Sequence, residues 1–182
     1  MYICIYKIIE HINKMRKDDF MKNKKKNKVI IFAVAVAIPL FVGGVAAFLT
    51  KDNMDIYETV NTPPLSPPAF LFPVVWTLLY ILMGVSSGLI WLKREEEKER
   101  AENALLIYAA SLVFNFIWSL IFFNFRMYLF SCVWLVALLI LILLTVIKYK
   151  ALSRVAAYLQ IPYLLWVAFA GYLNFGIYIL NP

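Results

Sequence analysis

Histidine is almost missing from these 182 residues: His11, the only one, stands ahead of the first long apolar run. A haem protein with histidine as axial ligand is therefore not expected. No Ser-His or Cys-His pair is on hand for nucleophilic catalysis. No Cys/His/Asp cluster has the spacing of a metal site, so neither a metal nor an obligatory cofactor is expected. Cysteine is nearly as scarce. Cys4 and Cys132 have no partner spacing, and Cys132 reads as a small buried hydrophobe within an apolar run. Charge is missing from the apolar runs altogether, since all 18 Lys and Arg and all 11 Asp and Glu fall outside them. Proton relays and ion-coupled transporters keep an ionisable group in the membrane despite its cost, which argues against a pump. Period-two alternation is weak, which argues against a β-barrel.

What is present is apolar: 63% of the residues are hydrophobic, against about 45–50% in soluble domains. Five charge-free runs, 29–49, 70–92, 104–125, 127–147 and 155–180, are each long enough to cross a bilayer core of about 30 Å as a helix. The expected fold is an all-α integral membrane protein, a five-transmembrane-helix bundle over 29–182 behind a basic tail, 1–28. Five spans are too few for two matched inverted halves. The tail is read either as lying upstream of a true start at Met21 or as a disordered or membrane-surface segment. The net charge of +7 does not point to nucleic acid, because nine of the 18 basic residues flank the first span within the first 28 positions. They read as a topology signal that places the N-terminus in the cytoplasm and, after five spans, the C-terminus outside the cell membrane.

The chain is organised around 63–91, PPLSPPAFLFPVVWTLLYILMGVSSGLIW. Pro63, Pro64, Pro67 and Pro68 predict a stiff, extended approach of polyproline character. They lie in the longest connection, 50–69, which reads as a lid. Pro73 falls in the first helical turn, where its missing N–H costs least. Trp76, Thr77, Tyr80, Gly84 and Ser87 then share one helical face. In the third span Ser111, Asn115, Trp118, Ser119 and Phe122 form a stripe, and in the fifth Gln160, Tyr163, Trp166 or Val167, Ala170 and Asn174 form another. Such faces look toward protein or ligand, as helix–helix glue or as pocket wall. Trp91 fits an interface anchor. With alternating direction, Trp76, Tyr80, Asn115 and Trp118 lie in the outer half of the bilayer beside the proline loop. A pocket there suits a large, flat, lipophilic molecule.

The pattern from Pro63 to Gly84, with Asn115-Phe116-Ile117-Trp118-Ser119, Phe122-Phe123, Pro162-Tyr163-Leu164-Leu165-Trp166 and Leu173-Asn174, resembles the tryptophan-rich sensory protein family. That family includes the mitochondrial translocator protein, or peripheral benzodiazepine receptor. The resemblance covers 29–181 and points to a bacterial member. It implies a five-helix bundle, commonly a homodimer, that binds porphyrins and other lipophilic ligands. The ligand-binding set it implies is Trp76, Tyr80, Asn115, Trp118, Phe122, Tyr163, Trp166 and Ala170, under a lid of Pro63, Pro64, Leu65, Pro67 and Pro68. Two positions depart from the pattern: Leu65 replaces the loop tryptophan, and Ser111 stands where Gln or Asn is frequent. The family's sterol motif is incomplete after Tyr178, so cholesterol is not supported as a partner.

Three functions follow: a porphyrin-binding sensor or carrier; an enzyme degrading porphyrin with light and oxygen, in which Trp76 would be catalytic; and a structural bundle without ligand. Expected partners are a porphyrin or other lipophilic small molecule, membrane lipid and a second copy of the chain. The dimer seam is expected on a small-residue face of the first span, with Gly43 and Gly44, or of the third.

Overall fold

The computed structural model describes residues 27–54 and 59–181. The readings that fall on the tail up to position 26, including Cys4, His11 and the start at Met21, lie outside the described residues, as do Asp55, Glu58 and Pro182.

Five helices are long and apolar enough to cross a membrane, and the chain is a multi-pass membrane protein. Helix α1 spans Asn27–Asn53 and ends in a 3-10 turn, Lys51–Asn53. Helix α2, Leu71–Leu92, continues into a 3-10 turn, Lys93–Glu95. Helix α3, Lys98–Ser119, ends in a π-helical turn, Leu120–Asn124. Helices α4 and α5 span Tyr128–Leu152 and Arg154–Leu180. The charged run at 93–103 is therefore partly helical, and α3 starts at Lys98 rather than at Ala104, where the charge-free run begins. Lys93 pairs with Glu96, Arg94 with Glu102 and Arg100 with Glu97. The hydrogen bond from Lys93 (2.7 Å) and its charge hold the Glu96 carboxyl below its ordinary range.

Helix α5 packs between α2 and α4, while α3 leans on α4 and α2. Apolar burial does little to join helices in lipid, so close packing and hydrogen bonds do that work. Gly84 shows the first. A Cβ added there would lie 2.8 Å from the Ala35 carbonyl oxygen and collide with the Val36 backbone, so α1 and α2 cross at this point. Gly43 is also turned inward, against the Tyr80 ring, whereas Gly44 faces open space. Of the two glycines expected at a dimer seam, only Gly44 is free to contact another copy. Hydrogen bonds supply the rest. Asn174 Nδ2 donates to Ser131 Oγ (2.7 Å) across α5 and α4. Gln160 Nε2 donates to Ser86 Oγ (3.2 Å), which donates to the Ala156 carbonyl (2.7 Å). Trp134 Nε1 donates to the Phe114 carbonyl (2.8 Å) between α4 and α3.

The turn between α3 and α4 is tight, and Arg126 takes a left-handed conformation there (φ 53°). The proline connection is not uniformly extended. Ser66 N–H reaches the Pro63 carbonyl (3.3 Å) and Leu65 has φ 66°, so Pro63–Ser66 is a turn with a non-glycine residue in a left-handed well. This segment is clamped to the end of α5. Asn61 N–H donates to Asn181 Oδ1, Asn181 Nδ2 donates back to the Asn61 carbonyl (both 2.9 Å), and Tyr172 Oη donates to the Pro64 carbonyl (2.9 Å). At the other side of the same bundle end, Asn124 Nδ2 donates to the Leu49 carbonyl and Asn53 Nδ2 to Asn124 Oδ1 (both 3.0 Å), tying α1 to the end of α3.

Candidate functional site

A cavity of about 450 Å³ opens at the bundle end that carries the 51–69 connection. Four helices build its wall: α1 through Gly43, Ala46, Ala47 and Thr50; α2 through Phe72, Pro73, Trp76 and Tyr80; α3 and its π-turn through Trp118, Ser119, Phe122 and Phe123; α5 through Trp166 and Ala170. Lys51, Met54 and Ala69 rim the mouth. The small residues on α1 leave the space that the large aromatic residues on the other three helices surround.

The aromatic wall is self-supporting. The Trp76 ring stacks on Tyr80 at 5.5 Å, meets Tyr163 edge-on at 6.3 Å and lies 6.5 Å from Trp118. Trp118 stacks on Phe122 (5.5 Å), and Phe72 meets Trp166 edge-on (6.0 Å). Such pairs fix ring orientation and add about 0.5–1.5 kcal/mol beyond area burial. The π-turn allows two consecutive residues, Phe122 and Phe123, to face the cavity together.

Of the eight expected ligand-contact residues, Trp76, Tyr80, Trp118, Phe122, Trp166 and Ala170 line the cavity. Asn115 and Tyr163 lie behind it. Asn115 is 1% exposed and accepts at Oδ1 from Tyr80 Oη (3.1 Å), so it holds the floor rather than forming it. Tyr163 is fully buried under Trp76. The loop prolines do not line the cavity either; Pro63 rests on Gly176 of α5 and Leu65 is 82% exposed. Thr77 points outward and returns its hydroxyl to the Pro73 carbonyl (2.7 Å).

Phe72, Phe123 and the small α1 residues were not among the expected site residues. Phe123 lies in a π-turn that a 3.6-residue period does not foresee. Gly43, Ala46 and Ala47 carry a spacing that also serves helix packing, so only the partner helix reveals which use prevails.

The polar groups of the wall divide unevenly. The hydroxyls of Thr50 and Ser119 donate within their own helices, to Ala46 (2.9 Å) and Asn115 (3.3 Å) carbonyls. The indole nitrogens of Trp118 and Trp166 are buried and have no partner among the described residues. No cluster of three His, Cys, Asp or Glu side chains suited to a metal occurs among the described residues.

Comparison with known proteins agrees with this architecture. Residues 35–180 match the model of the TspO/MBR family. The chain is 36% identical over 156 residues to the tryptophan-rich protein TspO of Chlorobaculum tepidum, covering 85% of this chain and 98% of that one. It is 32% identical to the tryptophan-rich protein TspO of Archaeoglobus fulgidus, over 84% and 98% of the two chains. It is 31% identical to the translocator protein of Homo sapiens, over 81% and 86%.

Proposed function

The chain belongs to the TspO/MBR family, and from that premise we propose that it is a membrane receptor, sensor or carrier for porphyrins and related flat lipophilic ligands. Protoporphyrin and haem-type tetrapyrroles are the intended class. The observation that carries the reading is the cavity lined by Trp76, Tyr80, Trp118, Phe72, Phe122, Phe123 and Trp166. Its volume lies within the range of about 300–1,000 Å³ typical of small-molecule sites. Flat aromatic walls suit a flat conjugated ring.

The test is a fluorescence titration of the purified protein with protoporphyrin in darkness. Saturable quenching of tryptophan emission is expected, and its absence would leave only a structural bundle. A second reading is favoured by the position of Trp76, whose ring lies within 6.5 Å of Tyr80, Trp118 and Tyr163. An oxidisable indole among redox-capable rings suits light- and oxygen-dependent porphyrin breakdown. Under illumination that reading expects open-chain tetrapyrrole products, and Trp76→Phe to lower turnover far more than binding.

A further inference from the structure

We propose that Lys51 is the acid-reading residue of this cavity: its ammonium pairs with a carboxylate at the mouth end of the ligand, so the site selects carboxylated tetrapyrroles over their neutral esters. The inference rests on the porphyrin reading and adds the feature of the ligand that is recognised. Among the described residues that line the cavity, Lys51 alone carries a formal charge. It sits on the 3-10 turn where α1 ends, at the rim. Its ammonium lies 4.9 Å over the Phe48 ring and is bound to no carboxylate among the described residues. Asp52, in the same turn, is not part of the lining.

The cavity's inner wall supplies an independent observation. The indole nitrogens of Trp118 and Trp166 are shut off from the cavity and offer nothing to a ligand there. The hydroxyl protons of Thr50, Ser119 and Tyr80 are already committed to protein acceptors. Lys51 is therefore the one cation in the described lining, and a ligand carboxylate at the mouth matches it. A carboxylate at the rim gives Lys51 its counter-charge without entering the apolar interior, where its desolvation would be costly. An esterified ligand keeps the ring and its apolar area but loses that pairing.

The experiment compares protoporphyrin IX with its dimethyl ester, in the dark, by tryptophan quenching of the purified full chain in a non-ionic detergent. Lys51→Gln should weaken the free acid about two- to fivefold, the upper part of the range for an exposed ion pair. It should leave the ester within about twofold, and Lys51→Arg should retain acid binding, because only the charge is read. Added salt should weaken the acid alone. Intact ester binding shows that the variant is folded. Equal loss of both ligands in Lys51→Gln, or loss of neither, overturns the inference while leaving porphyrin binding in place. A wild-type protein that binds neither ligand removes the porphyrin reading and this inference with it.

Discussion

At the scale of single residues, Trp118 keeps a polar group that the fold leaves unpaired. The Trp118 indole N–H is buried without an acceptor, and such a donor costs about 1–3 kcal/mol when left unpaired. Trp118→Phe keeps a ring against Phe122 but deletes the donor. Thermal unfolding in detergent should show unchanged or raised stability without ligand. Lower stability would assign the indole to the fold instead. Tyr80 behaves in the opposite way, because its hydroxyl satisfies Asn115 Oδ1. Tyr80→Phe strands that buried oxygen and should destabilise by about 1–3 kcal/mol. Adding Asn115→Leu should recover part of the loss, since removing both partners is cheaper than removing one. An additive double mutant would mean that the pair is not coupled. Trp91, 46% exposed at the far end with Arg94 4.1 Å over its ring, is the control: Trp91→Phe should leave porphyrin titrations unchanged.

At the scale of elements, the five helices were legible because each apolar run is long, charge-free and bounded by charge or proline. The stripes were legible to within one residue per turn. Tyr80, Gly84 and Ser87 are buried as the α2 period implies, yet Thr77, one position from Trp76, faces outward. The period does not say which helix a face meets. Asn115 shares a stripe with Trp118, but the Tyr80 hydroxyl intercepts it before the cavity does. The small residues of α1 and α2 read equally well as a contact between chains. The structure spends Gly84 on the α1–α2 crossing and Gly43 on room for Tyr80. Proline spacing announced a stiff loop but not its attachment, which depends on Asn61, Tyr172 and Asn181, far apart in sequence. This gives a contrast to measure. Gly84→Leu drives a side chain into the α1 backbone, and overpacking of this kind costs about 1–3 kcal/mol or more, so its melting temperature in detergent should drop sharply. Gly44→Leu meets open space and should melt as the wild type does. Equal melting of the two variants would show that α1 does not cross α2 at Gly84.

At the scale of the whole molecule, charge divides by end of the bundle. Lys28, Lys93, Arg94, Lys98, Arg100, Lys148, Lys150 and Arg154 lie at one end, and Lys51 and Arg126 lie toward the other. We propose, from the bias of basic residues toward the cytoplasm, that the first end is cytoplasmic and that the cavity mouth faces outward. In a background with Cys4→Ser and Cys132→Ser, a cysteine replacing exposed Asp52 should react with a membrane-impermeant maleimide on intact cells. One replacing exposed Glu99 should react only after lysis. The two positions lie beyond opposite ends of the charge-free runs, so each controls for the other's accessibility. Reaction of Glu99→Cys on intact cells with Asp52→Cys protected would reverse the topology. The cavity and Lys51 would then face the cytoplasm, and an acidic ligand would meet the ammonium from inside the cell. The labelling pattern thus decides from which side the ligand is drawn, which ligand titrations in detergent leave untouched.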